Sequence, residues 1–165
     1  MSKNIETDIL IIGAGPVGLF TVFEAGLLGL NCHLVDNLDK IGGQCIELYP
    51  EKPIYDIPGV PNQTGKEHID SLLEQIEPFD YEVHLNQRVD KIEQKGDHWI
   101  AETSDGISFK TLNIFIAAGA GSFEPRKPPV ESPDKFVGKG VDYAVRSIDK
   151  YKDKDIVIFG GGDSA

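Results

Sequence analysis

The first forty residues alternate apolar runs with a glycine-rich turn. Residues 8–12 consist of Asp8 and a continuous apolar run that ends at a glycine, which predicts a strand buried on both faces, as in a parallel sheet covered by helices. Residues 19–28 have the length of a helix, and the apolar run at 32–35 predicts a second strand. The order strand, glycine turn, helix and strand therefore predicts a βαβ unit of about 30 residues.

The middle of the chain changes from helical to strand-like patterning. Apolar residues at positions 69, 72, 73 and 76 fit one face of a helix over residues 64–76. Four short segments with strand-like composition follow, separated by turn signals, at 82–85, 88–93, 99–103 and 107–110. The last three predict an antiparallel meander. A further apolar run begins at Asn113 and predicts another buried strand, which leads into a glycine turn at 119–121.

The C-terminal part repeats the beginning of the N-terminal pattern. After a proline-rich stretch at 125–133, residues 155–159 predict a strand, and a glycine-rich turn follows it. We therefore expect an α/β protein with one domain over residues 1–120. Residues 121–165 would form a crossover and the incomplete beginning of a second domain, so that the chain is expected to be the N-terminal portion of a longer protein.

The glycine turns carry the chemistry that the pattern predicts. Gly13, Gly15 and Gly18 form a G-x-G-x-x-G motif between strand and helix, where they allow a sharp turn, a close approach of a pyrophosphate and tight packing of helix on strand. Asp36 follows the second strand at the distance where a carboxylate can accept hydrogen bonds from ribose hydroxyls. This unit predicts dinucleotide binding. Gly160, Gly162 and Ala165 form a second such motif.

Composition excludes several other classes of function. The chain has 165 residues with 27 acidic and 16 basic side chains, and its net charge of −11 argues against nucleic acid as a partner. The sequence lacks an apolar run long enough to span a membrane and a signal peptide at its N-terminus, so a cytoplasmic location is expected. The four histidines show neither metal-ligand spacing nor carboxylates in register, and we predict no metal site.

The two glycine motifs, the meander between them and the proline-rich crossover resemble the two-domain flavin reductases that share the thioredoxin reductase fold. The Gly-Gly-Gln segment at 42–44 and the segment CIELYPEKPIYDIPG at 45–59 narrow the resemblance to the ferredoxin–NADP reductases of thioredoxin-reductase type. The resemblance implies a Rossmann-like FAD-binding domain, with a parallel sheet plus an antiparallel β-meander, and the start of an NAD(P)-binding domain. It places FAD at the first motif and NADPH at the second.

The resemblance also implies roles for individual residues. Tyr49 would stack on the isoalloxazine ring, although ordinary loop packing is the alternative for this side chain. Asp36 and Gln44 would bind the ribose and flavin ends of FAD, with the loop at Gly43 lying along the flavin. Val89 would contact the adenine side and Phe123 the flavin region. Electrons would pass from NADPH to ferredoxin or flavodoxin in a homodimeric protein, and no catalytic side chain is expected, because the chemistry belongs to the cofactors.

The cysteines distinguish between relatives. Thioredoxin reductases carry C-x-x-C shortly before the second glycine motif, whereas residues 138–148 contain no cysteine. Glutathione-reductase relatives carry a cysteine pair beside the flavin, but here Cys45 is followed by Pro50 at the second position. Disulfide reduction is therefore not expected, and Cys45 is interpreted as a small buried side chain. A flavin-dependent monooxygenase or other pyridine-nucleotide oxidoreductase, and a non-catalytic FAD-binding remnant, are the alternative interpretations.

Overall fold

A six-stranded sheet forms the centre of the protein, which a computed structural model describes at residues 3–121, 127–130 and 133–160. The strands of this sheet are β1 (Lys3–Ile12), β2 (Cys32–Val35), β5 (Tyr81–His84), β6 (Val89–Lys95), β7 (His98–Thr103) and β8 (Ile107–Ile116). The helices are α1 (Pro16–Leu27), α2 (Gln44–Glu47) and α3 (Gly65–Ile76), and a small separate ladder joins β3 (Pro53–Ile54) to β4 (Gln63–Thr64). Short 3₁₀ turns occupy Pro133–Phe136 and Ile148–Tyr151.

The strand order β5-β2-β1-β8-β7-β6 combines two pairing modes. The strands β5, β2, β1 and β8 run parallel, whereas β7 is antiparallel to both β8 and β6. The predicted α/β class, with a parallel sheet and an antiparallel meander, is confirmed. Parallel strands need helical crossovers, and α1 supplies the connection from β1 to β2.

The core lies on both faces of the central strand. Ile9 and Ile11 of β1 pack with α1 and α3 in the larger cluster of buried side chains. Leu10 points to the opposite face and packs with Phe109 of β8 in a second cluster. Because successive side chains of a strand alternate between faces, a continuous apolar run is what such a two-sided strand requires, as the sequence predicts.

Helix α3 begins with a capping box formed by Thr64 and Glu67. The Thr64 hydroxyl accepts a hydrogen bond from the Glu67 amide at 3.2 Å, and the Glu67 carboxylate accepts one from the Thr64 amide at 2.8 Å. This reciprocal pair satisfies two backbone donors that a helix start leaves unpaired. The helix predicted over residues 64–76 is confirmed, with Thr64 as its N-cap.

Strand β8 differs from the prediction of two separate strands. It is continuous from Ile107 to Ile116 and pairs along this whole length with β1, which itself begins five residues earlier than predicted, at Lys3. The predicted burial of its second half is wrong, since Phe115 is 48 % and Ile116 is 74 % exposed. Strand β7 pairs only with residues 108–111. Among the described residues, the part of β8 after residue 111 therefore pairs with β1 on one side and has no strand on the other.

The strand predicted at residues 155–159 is also absent from the described structure, which assigns no regular element there. The apolar side chains of this segment are exposed, Phe159 to 89 %. A strand requires a neighbouring backbone to satisfy its hydrogen bonds, and the described residues place none beside this segment. The preceding residues do contact the rest of the fold, because Arg146 forms an ion pair with Glu47 and the Ile148 amide donates to the Glu51 carboxylate.

Within the three described ranges, no helix is both long enough and apolar enough to cross a lipid bilayer.

Candidate functional site

A cavity of about 850 Å³ lies where the parallel strands end. Strands β1, β2 and β8 finish at Ile12, Val35 and Ile116, and the loops that follow each of them form its walls. Ligands of open α/β sheets bind in the crevice outside the carboxyl ends of the strands. The cavity is lined by residues 12–13, 15–17, 35–38, 43–44, 47–48, 87–89 and 117–121.

Two glycines of the first motif are required by the protein's own packing. Gly13 has φ +110°, and a Cβ there would lie 2.3 Å from the carbonyl oxygen of Ala117. A Cβ at Gly18 would lie 1.9 Å from the carbonyl oxygen of Gly13. Both contacts are with backbone atoms and shorter than 3.0 Å, so a Cβ at either position would force the backbone to shift. The structure thus confirms the sharp turn at Gly13 and the close packing of helix on strand at Gly18.

Gly15 is different, because the described protein leaves space beside it. It has φ −79° and ψ −175°, a conformation open to any residue, and the nearest atom to a Cβ would be the Gly43 Cα at 3.9 Å. Gly15 lines the cavity and is the N-cap of α1, which has Pro16 in its first turn and no side-chain cap. A helix N-terminus without a cap offers backbone N–H groups and a positive dipole end to an anion. The free space and the exposed helix start fit a phosphate group.

Asp36 joins the glycine turn to the loop after β2. Its carboxylate accepts hydrogen bonds from the Ala14 amide at 2.7 Å and from the Leu38 amide at 2.8 Å, one on each oxygen. The Asp36 amide donates to the His84 carbonyl at 2.9 Å, which anchors the residue to β5 as well. Each carboxylate oxygen retains a second lone pair. Asp36 can therefore hold the loops and accept a hydroxyl hydrogen bond at the same time.

The Gly-Gly-Gln segment packs directly against the first glycine turn. The Gly42 amide donates to the Ala14 carbonyl at 2.8 Å, and a Cβ at Gly43 would lie 3.1 Å from the Gly15 Cα. Gly43 and Gln44 line the cavity, and so does Val89. The cofactor-binding residues predicted from residues 13–44, together with Val89, thus lie at or beside one cavity.

Tyr49 is not among the described residues that wall the cavity. Its ring packs against the larger core cluster, and burial, with a smaller effect of the neighbouring Cys45, raises the pKa of its hydroxyl group. This contact pattern is that of the packing alternative, and flavin stacking by Tyr49 stays a prediction. Gly160 is described, at φ +128° and away from the cavity wall, whereas Phe123, Gly162 and Ala165 lie outside the described residues.

Both cysteines are buried and free. Burial, with a smaller effect of the Asp80 charge, raises the pKa of Cys32 to about 11. Burial also raises the pKa of Cys45, an effect that the nearby Tyr49 hydroxyl group partly offsets. Thiol–disulfide exchange requires a thiolate. Both shifts favour the protonated thiol at neutral pH.

Several cavity residues were not predicted from the sequence. They include Glu47, whose carboxylate pairs with Arg146, and the backbone at 117–121 after β8. The rule that ligands bind beyond the carboxyl ends of parallel strands could have identified residues 117–121. Nothing in the local sequence marks Glu47, because its partner lies 99 residues away.

The expectation that no histidine has a carboxylate in register is wrong for two of the four. Strand pairing places Glu82 of β5 opposite His33 of β2, and His84 lies two residues further along β5 on the same face. The His33 Nδ1 and His84 Nε2 atoms are 2.9 Å apart. The spacing of 51 residues between these histidines hides the contact from local patterns.

This histidine pair predicts a loss of stability in acid. Burial lowers the pKa of both His33 and His84, the charge of His33 lowers that of His84 further, and the charge of Lys3 lowers both. In the opposite direction, Glu82 raises both pKa values and Asp80 raises that of His33. The unfolded chain then binds more protons below about pH 6.5, the ordinary histidine value. We expect the free energy of unfolding, measured with urea in a chelator, to fall from pH 7.5 to pH 5.5 with a slope of up to about 1.4 kcal/mol per pH unit for each histidine.

The double substitution His33→Gln and His84→Gln should flatten this slope, while His98→Gln at a more exposed position should leave it unchanged. If the unsubstituted chain, the double variant and His98→Gln all showed the same slope, the loss of stability in acid could not be assigned to His33 and His84.

Comparisons with known proteins agree with this geometry. The family model described as pyridine nucleotide-disulphide oxidoreductase matches residues 7–165. Ferredoxin–NADP reductase of Bradyrhizobium sp. strain BTAi1 is 56 % identical over 166 residues, covering 100 % of this chain and 48 % of the relative. The ferredoxin–NADP reductase of Pelagibacter ubique strain HTCC1062 is 54 % identical over 161 residues, covering 98 % of this chain and 48 % of the relative. The chain thus spans about half the length of these curated relatives.

A solved structure shows the same fold. Thioredoxin reductase of Lactococcus lactis superposes with a TM-score of 0.65 at 26 % identity, over 84 % of this chain and 43 % of that one. The family match covers nearly the whole sequence, and the fold and the glycine turn at the strand ends agree with it. The chain belongs to the pyridine nucleotide-disulphide oxidoreductase family.

Proposed function

We propose that this chain forms the FAD-binding part of a ferredoxin–NADP reductase. The observation that carries the proposal is the space beside Gly15, at the uncapped start of α1 and inside the cavity at the strand ends. The protein's own packing does not require a glycine there, whereas a pyrophosphate lying against the backbone would. The identity of 54–56 % to ferredoxin–NADP reductases supports the choice of this activity within the family.

The residues around the cavity fit FAD in a defined order. Gly15 and the start of α1 would hold the pyrophosphate, and Asp36 would accept hydrogen bonds from the ribose of the adenosine half. Val89 would lie against the adenine, and Gly43 and Gln44 would lie along the flavin half. Gly13 and Gly18 would act indirectly, since they allow the turn and the helix to pack as they do. Tyr49 and Phe123 would contact the flavin.

FAD, when bound, supplies the redox chemistry, namely acceptance of a hydride from NADPH and transfer of electrons to the acceptor. The chain's own residues would position the cofactor and exclude water. Gly160, Gly162 and Ala165 would belong to the NADPH site, and the acceptor would be ferredoxin or flavodoxin. We further propose that the protein works as a homodimer in the cytoplasm.

Binding of FAD by the purified chain is the direct test. We expect one FAD for each chain, recognised by visible flavin absorption after gel filtration and by quenched flavin fluorescence. Replacing Asp36 by Ala should weaken binding, because it removes both the ribose acceptor and the contacts to the Ala14 and Leu38 amides. Absence of flavin binding by the unsubstituted chain would contradict the proposal.

Electron transfer should not depend on the thiols. Because both cysteines are buried, alanine is the substitution that preserves their apolar surroundings, and we expect Cys32→Ala with Cys45→Ala to retain NADPH-dependent ferredoxin reduction. The activity is measured on the complete gene product, because this chain spans about half the length of the reductases it matches. Loss of activity with FAD still bound would make a thiol a redox participant.

A further inference from the structure

Outside the cavity, three potential metal ligands lie close together at the β5 edge of the sheet. His33 lies on β2, and Glu82 and His84 lie on the edge strand β5, with Glu82 directly paired to His33 in the parallel register. Phe109 forms the floor, with ring centroids 5.9 Å from His33 and 5.1 Å from His84. The two imidazoles are buried or nearly so, whereas the Glu82 side chain is 63 % exposed.

The ligand atoms are close to the separations that a tetrahedral zinc site needs. The His33 Nδ1 and His84 Nε2 atoms are 2.9 Å apart, and a Glu82 carboxylate oxygen lies 4.0 Å from the first and 3.9 Å from the second. Zinc bonds of about 2.0–2.2 Å place tetrahedral ligands roughly 3.3 Å apart. The planes of the two rings are inclined by 15° with centroids 5.2 Å apart, so their facing nitrogens would have to separate by a few tenths of an ångström and the rings to rotate until both lone pairs point at the ion. The carboxylate would approach by about 0.6–0.7 Å. Exposure of Glu82 permits this movement.

We propose that His33, Glu82 and His84 bind a divalent transition-metal ion of the zinc type at the β2–β5 edge. Two imidazoles and one carboxylate form a ligand set that such ions accept, whereas magnesium and calcium prefer oxygen ligands. Water would complete the coordination from the solvent side, where Glu82 is exposed. The bound ion would join the edge strand β5 to β2.

The surroundings of the cluster favour neutral imidazoles, which are the form that binds metal. Burial lowers the pKa of both histidines, so their ring nitrogens carry lone pairs at neutral pH. Lys3 is a nearby positive charge that opposes a cation, and Asp80 beside His33 and the carboxylate of Glu82 act in the opposite direction. The net charge of the chain, −11, also favours cation binding.

The simplest alternative is a pair of hydrogen-bonded core histidines that binds nothing. To separate the two, the chain is purified in a chelator, dialysed and titrated with Zn²⁺ against a chromophoric zinc indicator. We expect saturable binding of one zinc for each chain, and no competition from excess Mg²⁺. Absence of saturable binding would overturn the proposal in favour of the core pair.

Substitutions then identify the ligands. Glu82→Gln changes an exposed side chain and should leave the fold intact while lowering zinc affinity at least about tenfold, a loss common even for indirect partners of a metal. His84→Gln should lower it further. The control is His98→Gln, a histidine beside Asp97 on a different strand, which should bind zinc as the unsubstituted chain does. Unchanged affinity in both ligand variants, or loss of binding in His98→Gln, would overturn the proposal.

A thermal measurement gives an independent readout. Zinc should raise the unfolding temperature of the unsubstituted chain and of His98→Gln, because an ion that binds only the folded state stabilises it. The shift should be smaller in Glu82→Gln. An equal shift in Glu82→Gln and the unsubstituted chain would place zinc elsewhere and overturn the assignment.

Discussion

Replacing Gly15 by threonine should strongly weaken FAD binding without destabilising the chain. The described protein leaves the position of a Cβ free, and the backbone angles at Gly15 suit any residue. Threonine and glycine are about equally good N-caps, so the start of α1 should keep its stability. The added atoms would occupy the space assigned to the pyrophosphate. We expect the affinity for FAD to fall at least about 100-fold, or about 2.7 kcal/mol.

Two measurements on the same samples test this prediction. Flavin fluorescence titration gives the affinity, and urea unfolding without added FAD gives the stability. Loss of FAD with unchanged stability supports a phosphate site at Gly15. Full FAD occupancy in Gly15→Thr would show that the pyrophosphate lies elsewhere.

Gly18→Ala should have the opposite signature and destabilise the protein with or without FAD. Alanine inside a helix is ordinarily favoured over glycine by about 1 kcal/mol. At this position, however, the Cβ would meet the Gly13 carbonyl oxygen at 1.9 Å, and α1 would have to move away from β1. Such overpacking typically costs about 1–3 kcal/mol, so we expect a net loss of stability where propensity alone predicts a gain.

Gly26→Ala is the matched control, since it lies in the same helix. Its Cβ would meet the half-buried Phe79 side chain, 2.3 Å from Cγ and 2.9 Å from Cβ, so this side chain has to shift, whereas the atom met at Gly18 is a backbone oxygen at 1.9 Å. Both variants should therefore lose stability, and urea unfolding should rank Gly18→Ala below Gly26→Ala, because a side chain yields more readily than the backbone of the glycine turn. Equal stability of the two variants would contradict the backbone-contact explanation for Gly18.

The parts of the fold that the sequence predicts correctly are those with local signals. The βαβ unit needs only the apolar runs, the glycine turn and Asp36, all within about 30 residues. Helix α3 is marked by its apolar spacing and by Thr64 with Glu67 at its start. The same local pattern identifies Gly13, Gly15 and Asp36 in the cavity wall, because they occupy the turns directly after predicted strands, whereas Gly43 and Gln44 are predicted only by the family resemblance.

The remaining features depend on neighbours that are distant in sequence. Strand β8 is continuous because β1 provides a ten-residue partner for it, and local turn signals do not report that partner. Residues 155–159 have a strand-like sequence, but no neighbouring strand is described for them. The contact of His33 with His84 arises from the pairing of β2 with β5. In each case the deciding interaction joins segments that no periodicity within one of them could connect.

The double hydrogen bond of Asp36 has a consequence for affinity. The two backbone amides that its carboxylate accepts from already fix the side chain in one orientation. Immobilising such a side chain during association typically costs about 0.5–1.5 kcal/mol of binding free energy. Here the side chain is already immobilised when the protein folds, so the binding free energy does not include this cost. Nucleotide affinity should consequently respond to changes that only loosen the Leu38 loop. Because of this preorganisation, residues that do not contact the ligand also influence its dissociation constant.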